Sequence, residues 1–375
     1  MRTVAAVVEK AGAPFELREV ELDGPRAGEV LVRMAAAAIC HTDLTVRDGA
    51  VPFPVPAVHG HEGAGVVEAV GEGVTHVAEG DRVVLSFASC GACPTCTTGH
   101  PAMCKRSYPL RWGGARPDGS TTMTAAWNGG GPVHGSFFGQ SSFAAHAVVA
   151  GRAVVPVGGA AGVPLEHLAP LGCGVQTGAG AVLNVLRPAP GSTLVVTGVG
   201  AVGLSAVMAA ALTPAVRIVA VDVLPERLAL ARELGATDTI DARDADLVAR
   251  LAELSDGLGV DSVVETSGVV PVLAQAIRSV TSGGTVAVVG APAMGAKLEI
   301  EVTAIISGAR RIIGVVEGDS DPPRFIPTLI GLHRQGRFPL ERLIRTYPFA
   351  EIETAAADAH AGRTIKPVLT FEEVL

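Results

Sequence analysis

The stretch around residues 193–204 constrains this chain more than any other. Leu194-Val195-Val196-Thr197 is a β-branched run of the kind that forms a buried strand. It leads directly into Gly198-Val199-Gly200-Ala201-Val202-Gly203, and a helical run follows from Leu204. Strand, glycine turn and helix in that order are the setting in which G-x-G-x-x-G carries meaning. The first glycine makes the turn and the second lets backbone approach a pyrophosphate. The third lets the helix pack on the strand, and the helix N-terminus faces the phosphates. The next strand-like run ends at Asp222, 24 residues beyond Gly198. A carboxylate there can accept hydrogen bonds from the adenosine ribose hydroxyls and would repel a 2′-phosphate, so NAD is expected in preference to NADP. The alternative is a glycine turn without a ligand.

Strands and helices alternate on either side of this segment. Residues 218–221, 262–265 and 285–289 read as short buried strands. Residues 225–234 read as a helix, with Pro225 at its start and Gly235 just past its end. Such alternation predicts a doubly wound parallel sheet with helices on both faces. The first 150 or so residues differ. Runs at 30–34, 65–70 and 82–85 are β-type, separated by turn chemistry at 71–73 and 79–81. They predict an antiparallel, barrel-like region. The last sixty or so residues turn β-like again at 367–371. A chain of 375 residues is too long for one ordinary core. We therefore expect a two-domain α/β protein: residues 1–172 with a metal lobe at 88–106, a dinucleotide domain at 173–312, and a return to the first domain at 313–375. No period of 20–50 residues points to a repeat architecture.

Four of the six cysteines, Cys90, Cys93, Cys96 and Cys104, lie within fifteen residues, with gaps of two, two and seven. Four thiolates at such spacing can close a tetrahedral shell around one zinc and leave no open position, so this site reads as structural. An iron–sulfur cluster or two disulfides are the other readings. Cys40, in Cys40-His41-Thr42-Asp43, and Cys173, in Gly172-Cys173-Gly174, remain. With His61, in Gly60-His61-Glu62, they could form a three-ligand site with one open position, the shell of a catalytic zinc. An open zinc polarises an alcohol oxygen and lowers its pKa. Asp43 is the candidate carboxylate behind the histidine. Spacing alone leaves a second reading open, in which Cys40 and Cys173 are small buried apolar residues.

Composition excludes several classes. Apolar residues make up 48% and charged residues 18%, a globular balance. A net charge of −8 argues against a nucleic-acid partner, and Lys and Arg never run longer than two, so no polybasic membrane patch is present. The uncharged run 188–216 is long enough to span a membrane. Pro190, Gly191, Gly198, Gly200, Gly203 and Pro214 punctuate it, which favours a buried strand, turn and helix. The N-terminal apolar stretch is too short for a signal peptide, so a cytoplasmic location is expected.

Taken together, these motifs resemble the zinc-containing medium-chain alcohol dehydrogenases, over essentially the whole chain. Within that family the segments 116–121, 137–144, 172–180, 317–322 and 335–339 resemble the aryl-alcohol (benzyl alcohol) dehydrogenase branch. The resemblance implies a GroES-like β-barrel catalytic domain and a Rossmann domain. It implies two zinc ions per chain: a catalytic one on Cys40, His61 and Cys173, and a structural one on Cys90, Cys93, Cys96 and Cys104. Glu62 would lie behind the catalytic metal. Thr42 would take the alcohol proton, and His41 would sit near the pyrophosphate and act as a base. Cofactor contacts would come from Gly198, Gly200, Val202, Gly203, Asp222, Arg227, Thr177, Lys366 and His41. The partners implied are an alcohol or aldehyde and further copies of the chain, as a homodimer or homotetramer.

Two positions depart from the family pattern. Thr45 stands where many relatives end the proton relay with histidine, which leaves His41 or water as the exit. His59 stands where an apolar residue is usual; it reads as a tolerated buried histidine or as an extra ligand. Seven of the fourteen aromatic residues (Phe87, Tyr108, Trp112, Trp127, Phe137, Phe138 and Phe143) fall between 87 and 143, where an even spread would put about two. They would suit an aromatic or allylic alcohol, or they anchor the metal lobe or a subunit contact. Three activities stay open: an NAD-dependent aryl-alcohol dehydrogenase, a thiol-dependent formaldehyde or aliphatic alcohol dehydrogenase, and a zinc-stabilised cofactor binder without catalysis.

Overall fold

Alternating burial builds the first unit. In the strand Glu29–Ala38, Val30, Val32 and Met34 point inward while their neighbours are half-buried, as a pleated strand over a core requires. This strand pairs antiparallel with Gly63–Val70, with His146–Ala150 and with Lys366–Thr370. Arg82–Leu85, Val154–Pro156 and Ile344–Pro348 complete a seven-stranded sheet. A second sheet of five strands runs Ala57–Val58, Arg2–Val8, Glu16–Leu22, Met123–Ala125, Pro132–Val133. Val7, Met34, Leu85, Phe143 and Phe371 share one core between them. This is the antiparallel, barrel-like region that the sequence predicts, with one exception. Ile344–Pro348 joins Lys366–Thr370 in parallel, because the helix Ile352–His360 carries the chain back between them.

The second unit holds a six-stranded parallel sheet. Its order is Asp238–Asp241, Arg217–Asp222, Thr193–Thr197, Val260–Glu265, Val280–Val288, Arg311–Gly314. In chain order within the unit this is 3-2-1-4-5-6, the doubly wound dinucleotide topology. Val195, Val219, Val263 and Val286 form its core with Leu251 and Ile277. The helix predicted at 225–234 spans Pro225–Glu233, and Gly235 follows with φ +118°. The uncharged run resolves into a turn at Gly191, the strand Thr193–Thr197 and the helix Ala201–Ala210. Among the described residues, no helix is long and apolar enough to cross a membrane.

The computed structural model describes residues 1–127, 129–243 and 246–371. The chain divides into Met1–Cys173 with Asp321–Leu375, and Gly174–Ser320. The second junction lies beyond the 312/313 boundary expected from the sequence. The reason is local: Arg311–Gly314 is still a strand of the parallel sheet, and Ser320 Oγ donates to Gln176 Oε1 at 2.7 Å.

Candidate functional site

Cys40 lies two residues past the strand Glu29–Ala38 and caps the helix His41–Arg47. Asp43, in the first turn of that helix, turns back to organise the site. Its Oδ2 accepts from Cys40 N at 2.9 Å. Its Oδ1 accepts from Gly60 N at 3.1 Å and from His61 Nδ1 at 2.9 Å. A proton on Nδ1 leaves Nε2 as the free lone pair, and Nε2 is buried without a partner. Cys173 arrives from another segment. Gly172 allows this, because a Cβ there would sit 2.2 Å from Leu85 O and 3.3 Å from Glu62 Cα. Ser86 Oγ donates to Gly172 O at 2.7 Å and fixes the approach.

The ligand atoms of Cys40, His61, Glu62 and Cys173 lie within 4.8 Å of one another. The environment favours a cation among them. The Cys40 thiol is held well below the ordinary value, first by a hydrogen bond with Cys173 and, against burial, by Lys366 and His61. Burial lowers the pKa of His61, but Asp43 and Cys40 more than offset it and raise it well above the usual range. The buried Glu62 carboxylate is bridged by Lys366 Nζ at 2.8 and 3.0 Å. Lys366 also donates to Ile39 O at 3.3 Å. Lys366, which the resemblance makes a cofactor contact, is 2% exposed and pairs with Glu62. An orphaned imidazole nitrogen beside two thiols and a carboxylate fits zinc.

The second cysteine set converges in a short lobe. Cys93 Sγ lies 3.5 Å from Cys96 Sγ and 4.0 Å from Cys104 Sγ, and Cys90 Sγ lies 4.0 Å from Cys96 Sγ. These separations are too long for disulfides, and none of the six cysteines is in one. Backbone N–H groups point at the sulfurs, from Cys93 to Cys90, Cys90 to Cys104 and Lys105 to Cys93 at 3.3–3.4 Å. Cys93 is pushed down to about 5, by Thr95 Oγ first and then by backbone donors. Cys96 is pushed up to about 12, by burial first and then by Cys93. Four thiolates cannot coexist here without a cation, and the set could hold a divalent metal.

In the second unit Gly198 turns with φ +80°. A Cβ on Gly203 would lie 2.0 Å from Gly198 O, so only glycine closes this turn. Gly200 caps the helix Ala201–Ala210, and Val202 lies in its first turn. Asp222, at the end of its strand, accepts from Val199 N at 2.7 Å with one oxygen. With the other it accepts from Val223 N at 2.8 Å and Leu224 N at 3.0 Å. The Arg227 guanidinium reaches to 4.0 Å from where a Gly200 Cβ would lie, and its Nε is buried without a partner. Thr177 sits in the helix Gly174–Gly180, nearly buried.

His41 is exposed and Thr42 half-buried, with Thr42 Oγ1 3.9 Å from Cys40 Sγ. Thr45 spends its hydroxyl on His41 O at 2.9 Å. His59 is not among the converging ligands. It packs against Phe15, Phe53 and Phe137 with both ring nitrogens unpartnered, and burial pushes its pKa down to about 4. The aromatic enrichment splits. Phe87, Trp112, Phe137 and Phe138 gather in one cluster, with Phe138 stacked on His61 at 4.5 Å. Phe143 and Trp127 pack on the barrel core, and Tyr108 is 72% exposed. Nothing in the sequence marks Ser86 or Gly172 for a role, and Gln140 is marked only by lying within the segment 137–144. No spacing rule marks a residue that acts on another segment's backbone.

Two family models match the chain: "Zinc-binding dehydrogenase" over residues 201–331 and "Alcohol dehydrogenase GroES-like domain" over 26–159. The chain is 46% identical to a geraniol dehydrogenase of Castellaniella defragrans over 369 residues, 98% of this chain and 97% of that protein. Its fold is similar to that of an alcohol dehydrogenase zinc-binding domain protein from Burkholderia ambifaria, with TM-score 0.96, 49% identity and full coverage of both chains. It is likewise similar to benzyl alcohol dehydrogenase from Acinetobacter calcoaceticus, with TM-score 0.94, 43% identity and 99% of each chain covered.

Proposed function

Because this chain belongs to the zinc-binding medium-chain alcohol dehydrogenase family, we propose that it oxidises an aromatic or allylic primary alcohol reversibly to the aldehyde, passing the hydride to NAD. One observation carries the substrate class. Phe138 stacks on the ligand histidine, and Trp112 and Phe137 meet it edge-on at 5.1 and 5.0 Å. Phe137 is fully buried and Phe138 7% exposed, so these rings form the apolar wall behind the site histidine, and half-buried Trp112 is the ring left to meet a flat, polarisable alcohol. Similarity to proteins named for geraniol and benzyl alcohol supports the same class.

Cys40, His61 and Cys173 would hold one zinc, and Cys90, Cys93, Cys96 and Cys104 a second. Zinc at the first site supplies the Lewis acidity that makes an alcohol hydroxyl acidic near neutral pH. Asp43 keeps the His61 ring oriented and its proton on Nδ1. Glu62 and Lys366 neutralise each other beside the ligands. Thr42 accepts the alcohol proton, and exposed His41 returns it to solvent, since Thr45 is spent on a backbone carbonyl. The turn at Gly198, Gly200, Val202 and Gly203, with Arg227, would receive the pyrophosphate side of NAD. Asp222 would meet the adenosine ribose, and Thr177 the nicotinamide side. Self-association fits the exposed edge strand Arg311–Gly314.

The test is NADH formation with benzyl alcohol and geraniol against ethanol, each with NAD and NADP. Fast turnover with the first two and NAD is the expected result. Activity on ethanol alone would reject the substrate class. Asp222→Gly should lower the preference for NAD and, by freeing three amide N–H groups from their acceptor, cost about 1–3 kcal/mol of stability. An unchanged NAD/NADP ratio would reject the role of Asp222.

A further inference from the structure

The metal ligands come from backbone segments far apart in sequence, and one side chain ties the His61 segment to the strand residue, Ser86, that holds the Cys173 segment. Gln140 is 1% exposed. Its Nε2 donates to His61 O at 2.8 Å and to Ser86 O at 2.9 Å, and its Oε1 accepts from Gly63 N at 3.2 Å. Both amide protons are therefore spent on backbone carbonyls. Ser86 Oγ in turn donates to Gly172 O at 2.7 Å, the residue before Cys173. A buried path of hydrogen bonds thus runs from the backbone of His61 through Gln140 and Ser86 to the segment that carries Cys173.

The backbone that delivers Gln140 is strained. Ser136, Phe138 and Ser141 have φ of +52°, +55° and +59°, a region that residues with side chains avoid. Such conformations survive where surrounding contacts over-determine them, and they cluster at functional sites. Here the contacts are specific. Ser141 Oγ donates to Val58 O at 2.7 Å and accepts from Phe137 N at 3.0 Å. Ala88 N donates to Phe138 O, and Ser142 N to Gly60 O, both at 2.9 Å. The same turn lays Phe138 on the His61 ring at 4.5 Å and 26°. His61 is therefore held at three points: Nδ1 by Asp43, the ring face by Phe138 and the main chain by Gln140.

We propose that Gln140 is a positioning residue for the Cys40/His61/Cys173 metal site. It sets the separation between the His61 segment and the Cys173 segment, and the strained 136–141 turn is the device that holds it there. The inference rests on the reading of those three residues as zinc ligands. Gln140 itself touches neither metal nor substrate. A methionine of similar length keeps the packing and loses all three hydrogen bonds. A glutamate keeps an acceptor for Gly63 N but sets a carboxylate against two carbonyl oxygens.

The experiment uses the full chain loaded with two zinc ions, challenged with excess chelator, and a cobalt-substituted sample followed by visible absorption. In Gln140→Met one of the two metals should leave about 10–100-fold faster than in the unmodified chain, with an altered cobalt spectrum, while the other leaves at its usual rate. Gln140→Glu should not rescue this. Ser86→Ala, which removes only the hydroxyl on Gly172 O, should loosen the same metal by a smaller factor, and it decides the matter if the Gln140 variants do not fold. Unchanged release of both metals with an unchanged cobalt spectrum, whatever the melting temperature, would overturn the inference. An unmodified chain that binds a single metal, retained in Cys40→Ser, would instead overturn the zinc reading, and the inference with it.

Discussion

At the scale of single residues, the two histidines of the 59–61 segment have opposite fates. His61 finds a carboxylate for one nitrogen, while His59 finds only aromatic rings. A histidine whose folded pKa is about 4, against 6.5 for the free side chain, stays neutral in the fold and takes up a proton on unfolding. Its contribution is whole above pH 6.5 and is lost as pH falls toward 4, a swing of about 3 kcal/mol. Replacing it with phenylalanine keeps the ring in its box and removes the titration. Denaturant midpoints measured from pH 7 to pH 4 should fall less steeply for His59→Phe than for the unmodified chain. Parallel curves would show that His59 is not the buried neutral group. Residues whose partners are close in sequence are legible beforehand: four cysteines within fifteen positions announce their own site, whereas Asp43, eighteen positions from His61, is legible only as the carboxylate that a ligand histidine calls for. Lys366 is not, because its partner Glu62 lies 304 positions away and a lysine near a chain end carries no mark of burial. Gln140 and Ser86 act on backbone carbonyls, which no side-chain motif encodes.

Among the elements, the four-cysteine lobe is the least able to stand alone. Its helix Pro94–Thr97 has four residues, none of them buried, and the adjoining 3₁₀ turn buries only Pro101 and Ala102. So short a helix cannot form for its own sake, and a metal on the four cysteines would organise it. Cys93→Ser should lower the melting temperature by about 5–10 °C and leave kcat within a few-fold in samples still folded. A collapse of kcat at unchanged melting temperature would exchange the roles of the two metal sites. The strands and the glycine turn could be read from β-branched runs bounded by glycine, since burial on both faces leaves that pattern. The parallel pairing of Ile344–Pro348 with Lys366–Thr370 could not, because pairing direction depends on the helix between them and not on the strands' own residues. Nor could the left-handed turn at 136–141, where serine and phenylalanine occupy a conformation that sequence reasoning reserves for glycine.

For the molecule as a whole, the parallel sheet ends on Arg311–Gly314, a strand whose four residues are all exposed. Ile312 and Ile313 lie on it, Val316 follows, and the preceding helix exposes Val302 and Ile306. An open edge flanked by apolar side chains is a template for pairing with another copy. Ile313→Lys should shift the sedimentation of a dimer or tetramer toward the monomer; an unchanged sedimentation coefficient would move the subunit contact elsewhere. The two units also differ in how the chain supplies them. Gly174–Ser320 is continuous, whereas the metal-bearing unit is assembled from both ends of the chain, and its strand Lys366–Thr370 lies between Glu29–Ala38 and Ile344–Pro348. On the ribosome the cofactor fold can therefore close while the barrel still waits for a strand not yet made. The charge of Glu62 would wait for its Lys366 counter-ion through 304 further residues, roughly 15–60 s of translation. A metal at the proposed Cys40/His61/Cys173 site would then be a late acquisition, and a polypeptide stalled before Lys366 would carry a complete parallel-sheet unit and an unfinished metal site.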